Sequence, residues 1–196
     1  NAPGSTGTYI SDAKNCRECF HAYDAEDCAH SVHVWRGAKD CVDCDTSGRE
    51  AELNFNCANV TIGSSHCISC ALCWTCSFIE YSLMCQNSNN LFGCAGLRKK
   101  DYCILNKQYT KEEYFVMVDN IKKQMKNEGI YGEFFPSALS AFGYNEACVQ
   151  DQFALEKEQA LAAGFNWEDH PRGTYGKETK KWETAADSIK NVDFDA

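Results

Sequence analysis

Two Cys-x2-Cys pairs, Cys16 with Cys19 and Cys41 with Cys44, stand 21 residues apart. Pairs of this kind on facing knuckles supply four thiolates to a tetrahedral zinc ion. His30 and His33, just after Cys28, add imidazole to the same neighbourhood. A second set, Cys67 with Cys70 and Cys73 with Cys76, has only two residues between its pairs. Zinc at Cys16, Cys19, Cys41 and Cys44 is therefore the metal chemistry the spacing allows. Calcium is the weaker alternative. Asp43-x-Asp45-x-Ser47-Gly48 matches the first half of an oxygen-ligand loop, with Asp40 and Glu50 adding acidity. The twelfth position is Asn54, where that loop needs a bidentate Glu. Glycan cleavage requires two carboxylates at a set separation, and Glu50 with Glu52 is the pair at hand.

Other chemistry finds no foothold. The sequence contains no GxGxxG, GxxxxGK[ST], HExxH or GxSxG motif. A nucleophilic cysteine needs an exposed, electropositive setting, and none of the 14 cysteines stands apart from the rest in this way. The net charge of −9 opposes the counterion release that drives nucleic-acid binding. No apolar run reaches the length of a membrane span. The start, Asn1-Ala2-Pro3-Gly4, lacks the basic and apolar segments of a signal peptide, and the chain is expected to be processed or part of something longer. The expectation is a protein that is not an enzyme. No cofactor is expected, with zinc, and behind it calcium, left open.

The elements that must hold these residues are announced by a rhythm. Cys67, Cys76, Cys85, Cys94 and Cys103 follow one another at nine residues, as do Cys19 and Cys28. Cys28 to Cys41 and Cys44 to Cys57 are each thirteen, as if the same coil carried insertions. Asn or Asp often precedes the cysteine: Asn15, Asp27, Asp40, Asn56. A fixed period marks a repeat architecture, and nine residues suit one strand and a corner better than a helical unit. Two such units make a coil of about eighteen residues. Cysteine is small and readily buried, so Cys19, Cys28, Cys57, Cys67, Cys76, Cys85, Cys94 and Cys103 are expected to stack as an inward ladder. The predicted fold is mainly β, a single-stranded β-solenoid over residues 13–109, after an N-terminal arm over 1–12. A disulfide-rich module and a zinc-organised fold are the alternatives.

Residues 110–168 read as a helical cap. Thr110-Lys111-Glu112-Glu113 is a capping box, and Tyr114, Val118, Ile121 and Met125 then mark one helix face before Gly129. That face is expected to pack on the last coil. Phe153 to Ala163 reads as a second short helix, stopped by Gly164. From 169 to 196 the chain is polar and extended, with Trp182, Ile189 and Phe194 as apolar anchors for its own domain or for a partner subunit.

The run from Asn90-Leu91-Phe92-Gly93-Cys94 through Cys103-Ile104-Leu105-Asn106-Lys107-Gln108-Tyr109-Thr110 to Tyr114 resembles a specific family motif. Gly132-Glu133-Phe134-Phe135-Pro136 and Phe142-Gly143-Tyr144-Asn145-Glu146 extend the likeness, which covers residues 13 to 168 or so. The family comprises uncharacterised cysteine-rich repeat proteins of uncultured small-genome bacteria and of environmental and phage sequences. The resemblance supplies no catalytic residues. It implies little about function. The solenoid itself suggests a structural or assembly role, with the protein subunits of a larger assembly or a second copy as partners, and the phage-like distribution of the resembling sequences points by analogy to a virion or surface appendage. Virion or cell surface is the location this analogy favours. A zinc-dependent binding module and a carbohydrate-binding or glycan-cleaving solenoid are the competing readings.

Overall fold

The computed structural model describes residues 1–170. Trp182, Ile189 and Phe194, with their expected partner contacts, lie outside the described residues. The chain is a β-solenoid of about eight coils followed by short helices. Strands β1 (Gly7–Ser11), β2 (Cys19–Glu26), β3 (Val32–Lys39), β4 (Asp45–Gly48) and β5 (Ala58–Thr61) stack in parallel in that order. Strands β6 (Ser65–Ile68), β7 (Ser77–Glu80), β8 (Asn89–Phe92) and β9 (Asp101–Ile104) do the same, and the antiparallel β10 (Lys107–Gln108) closes the stack.

The coil is shorter than the eighteen residues expected. Phe20 pairs with Val32, Ser77 with Asn89, and Leu91 with Cys103, each twelve residues on. The reason lies in the backbone. Every third residue of the coils takes a left-handed φ near +50°, from Tyr9, Asp12, Asn15 and Glu18 onward. A sharp bend at each third residue makes a side of only three residues, and four sides close a coil. L-residues in this conformation cost roughly 1–2 kcal/mol each, and Asn, Asp and His tolerate it best. The Asn15, Asp27, Asp40 and Asn56 that precede cysteines all occupy it. Bulkier residues such as Phe78 and Ile62 occupy it too, so the stacked neighbours impose the conformation where local preference does not.

The thirteen-residue intervals come from one extra residue at the same corner of three successive coils, at Arg36-Gly37, Arg49-Glu50 and Ile62-Gly63. The insertions stack on one another: Glu50 N–H donates to the Arg36 carbonyl and Gly63 N–H to the Arg49 carbonyl. The ladder resumes beyond them without loss, as Ala25 pairs with Ala38 after a register shift.

The residue after each left-handed position points inward. One inward stack runs Cys16, Cys28, Cys41, Asn54, Cys67, Ile79, Leu91, Cys103, and all eight are buried. The next side carries Cys19, Ser31, Cys44, Cys57, Cys70, Ser82 and Cys94, also buried. Nine residues is a coil of twelve less one side of three. Cys67, Cys76, Cys85, Cys94 and Cys103 therefore step round the four sides in turn. The expected ladder cysteines all lie inside, but they are shared among four stacks and do not form one.

Cysteine and serine suit this interior for a hydrogen-bonding reason. In each three-residue side two N–H groups bond to adjacent coils, as Arg17 N–H does to the Cys28 carbonyl and His30 N–H to the Arg17 carbonyl. The inward residue's own N–H is left over. At four places where Ser or Asn sits one coil earlier, its oxygen accepts: Cys44 N–H to Ser31 Oγ at 3.1 Å, Cys76 to Ser64 at 3.2 Å, Cys94 to Ser82 at 3.1 Å, Cys67 to Asn54 Oδ1 at 3.1 Å. Sulfur does the same for Asn106 N–H at 3.4 Å from Cys94 Sγ. The thiols in turn donate to the carbonyl two residues back, as Cys57 does to Phe55 at 3.2 Å and Cys70 to Ile68 at 3.2 Å. Buried backbone polar groups need partners, and a thiol or hydroxyl supplies one within the width of a narrow coil.

Helix α1 (Lys111–Asn127) starts on the expected capping box: Thr110 Oγ1 accepts from Glu113 N–H at 3.3 Å and Glu113 Oε2 accepts from Thr110 N–H at 3.0 Å. It lies along a flank of the last coils. Tyr114 and Val118 are buried with Tyr81, Phe92 and Ile104, and Ile121 and Met125 pack on that cluster. The compact unit containing the coils extends through α1 to Phe135. A second unit begins at Pro136. It holds α2 (Val149–Gln152) and α3 (Lys157–Ala162) where one helix over 153–163 was expected. The break falls at Phe153, and α3 takes its own cap from Glu156, whose N–H donates to Gln159 Oε1 at 2.9 Å. Gly164 ends it at φ +84°, and the Phe165 ring packs on Tyr144 at a 52° tilt.

Candidate binding groove

Outward residues form vertical columns at the coil pitch, about 4.8 Å per coil. On the first coils two such columns stand side by side. Tyr9, His21, His33 and Thr46 make one, twelve or thirteen residues apart. Tyr23 and Trp35 lie in the next. Together these six residues line an open groove of about 590 Å³. Its walls are aromatic: Tyr9 and His21 rings are 5.0 Å apart and His21 and His33 rings 5.2 Å apart, each pair edge to face. Tyr9 is 73% exposed and Tyr23 52% exposed. Trp35 lies across Gly48, whose missing side chain makes the space: a Cβ there would stand 2.6 Å from the indole Cδ1. The Arg36 guanidinium rests 4.7 Å from the indole centre. Beneath the groove the interior is filled by Ala22, Ala25, Val34 and Ala38, all buried.

A second cleft, about 440 Å³, lies between α1 and the coils. Glu80 forms an ion pair there with Lys122 and accepts a hydrogen bond from Tyr131 O–H at 2.9 Å. Burial and the Glu80 charge push the Tyr131 phenol upward. Gly132 is held on three sides: its N–H donates to Tyr81 Oη at 2.6 Å, and its carbonyl accepts from Ser69 Oγ at 2.7 Å and Asn56 Nδ2 at 2.9 Å. These contacts explain the cleft as a latch that fastens the helix and the following loop to the flank.

The residues singled out for metal chemistry are not brought together. Cys16 and Cys41 share one inward stack and Cys19 and Cys44 the next, with Cys28 and Ser31 between them. The two pairs are two coils apart, roughly 10 Å, whereas zinc holds its thiolates at about 2.3 Å. His30 and His33 are exposed on the outer surface, across the backbone from the thiols. Among the described residues no cluster of three or more His, Cys, Asp or Glu is arranged to hold a metal ion. The calcium pattern is split in the same way. Asp43 and Asp45 face outward, where they neighbour His30 at 3.3 Å and His33 at 3.6 Å, while Ser47 is fully buried. Glu50 sits at the inserted corner and Glu52 on the next side, paired with Lys39 and Ser65 along the stack.

All fourteen cysteines are free, thirteen buried and Cys148 exposed. Loss of hydration raises the thiol pKa, and burial pushes Cys76 up to about 11 and raises Cys67 and Cys70 further. Such thiols are poor nucleophiles.

A nine- or eighteen-residue period does not bring the groove residues together. A twelve-residue spacing would have aligned Tyr9, His21 and His33 and set Tyr23 against Trp35. No helix among the described residues is long and apolar enough to cross a membrane. No protein-family model matches the chain, and no curated protein matches it.

Proposed function

We propose that this chain is a non-enzymatic binding and assembly scaffold, a rigid solenoid whose flank presents the aromatic groove of its first coils to a partner. The observation that carries the reading is the combination of exposed Tyr9 and Tyr23 with a core beneath them already closed by alanines. These rings do nothing for the interior. Exposed aromatic groups gathered in a groove are the usual mark of a recognition surface. The groove holds no pair of carboxylates, so presentation suits it better than hydrolysis.

The test is a fragment screen by two-dimensional NMR, using small aromatics, monosaccharides and tripeptides as probes. Shifts are expected to gather on Tyr9, Tyr23, Trp35 and the backbone between them. Shifts scattered over the solenoid, or none in the groove, overturn the reading. Replacing Tyr9 and Tyr23 by serine is expected to change stability by less than about 0.5 kcal/mol per site, as for other surface positions.

An assembly role has one specific support of its own. Strand β1 is the outer strand of its sheet. An open edge invites another chain to pair with it. End-on association through β1 predicts a sedimentation coefficient that rises with concentration; a coefficient independent of concentration overturns it.

A further inference from the structure

We infer that the groove over Tyr9, Tyr23 and Trp35 takes a neutral polysaccharide chain laid along the solenoid axis. The inference rests on the binding reading above and names its ligand. Three observations support it.

The first is chemical layout. One column offers the rings of Tyr23 and Trp35, and its neighbour, headed by Tyr9, offers the hydrogen-bonding groups of His21, His33 and Thr46. Aromatic faces carry partial negative charge and attract electropositive C–H groups. A sugar ring has that pairing built in, with C–H groups on its faces and hydroxyls round its edge. The second is pitch. Groove groups repeat at the coil spacing, about 4.8 Å, which is close to the advance of successive sugar rings in an extended glycan. From Tyr9 to Thr46 the column makes three such steps, about 14 Å, room for about three or four sugar units. The third is charge. Nucleic-acid bases also stack on aromatic rings, but their phosphates need a positive groove. Here the chain carries a net −9, Asp45 adjoins His33, and Arg36 is the cation beside the indole. A neutral chain meets no such penalty, and Arg36 can turn from the indole to a hydroxyl.

The experiment is affinity electrophoresis of the full chain in gels containing hydroxyethylcellulose, xylan or galactomannan, with alginate and single-stranded poly(dT) as anionic probes. Migration is expected to be retarded by at least one neutral glycan and by neither anion. Titration calorimetry with oligosaccharides from that glycan should show affinity rising to three or four units and levelling there. Tyr23→Ala and Trp35→Ala are each expected to weaken binding at least tenfold. Tyr9→Ala is the companion variant: its ring is the most exposed of the three, so folding is least at risk, and several-fold weakening is expected. No retardation by any neutral glycan overturns the inference, as does retardation unchanged in the variants or stronger with the anions. If the fragment screen marks the groove while every glycan fails, the ligand class is wrong and the binding reading stands. If the screen leaves the groove unmarked, both fall.

Discussion

Asn54 tests the account of why this interior is built from thiols, hydroxyls and amides. It is buried to 1% exposure between Cys41 and Cys67. Its Oδ1 accepts from Cys67 N–H at 3.1 Å, and its Nδ2 donates to the Ser64 carbonyl at 3.3 Å. Asn54→Ala leaves the Cys67 N–H without an acceptor inside a dry stack, while the Ser64 carbonyl keeps the Glu52 N–H. An unsatisfied buried group costs about 1–3 kcal/mol, so the variant is expected to lose about 2–4 kcal/mol once the small cavity is included. Asn54→Leu fills the space but still strands that N–H, and about 1–3 kcal/mol is expected. Asn54→Cys restores the common ladder residue, whose sulfur can accept the Cys67 N–H as Cys94 Sγ accepts that of Asn106, and it should lose at most about 1 kcal/mol. A stacked repeat need not unfold in one step, so the readout must be local. The flanking thiols Cys41, Cys57 and Cys67 provide it through their alkylation rates, followed by mass spectrometry under native conditions. A loss of about 3 kcal/mol speeds their labelling roughly 100-fold. If Asn54→Leu labels as slowly as the parent, or more slowly than Asn54→Cys, inward N–H groups do not need an acceptor and the explanation of the core fails.

Further outcomes follow from the same geometry. Titration of the native protein with a thiol reagent should detect one fast thiol, Cys148, and thirteen more only in denaturant; several fast thiols would mean an open core. Buried thiols with raised pKa values hold their protons longer in the folded state than in the unfolded chain. Their contribution is therefore complete below the unfolded thiol pKa, about 8.5, and is lost as pH rises towards the folded value, about 11 for Cys76. The unfolding free energy should accordingly fall between pH 8.5 and 11, by up to about 1.4 kcal/mol per pH unit for each fully shielded thiol, and a flat pH profile of denaturation midpoints would contradict the burial. Tyr81→Phe removes the oxygen that accepts the Gly132 N–H, leaving a buried donor unpaired at a cost of about 1–3 kcal/mol. Hydrogen exchange at Gly132 should rise while the amides of β2 and β3 stay protected. Glu80→Gln weakens the same latch by taking away the partner of Lys122, so proteolysis near Tyr131 should quicken without change in the thiol count.

The amino-acid sequence by itself determined that this is a stacked β coil with a small-residue interior. Cysteines recurring at multiples of three, with Asn or Asp before them, encode the inward position and the left-handed corner that precedes it. Thr110 and Glu113 likewise encoded the start of α1, because a capping box is a local device that needs nothing beyond four residues. Tertiary structure decided the rest. Nine-residue spacing is compatible with a coil of nine, twelve or eighteen, since each is a multiple of the three-residue side, and only hydrogen bonding between coils selects twelve. That choice separates Cys16 and Cys19 from Cys41 and Cys44 by two coils and sends Ser47 inward, which dissolves both metal patterns. The same choice sets Tyr9 over His21 and Tyr23 over Trp35. Columns of this kind join residues a full turn apart, and no local preference marks them. Closure of the coil alone brings them into one groove.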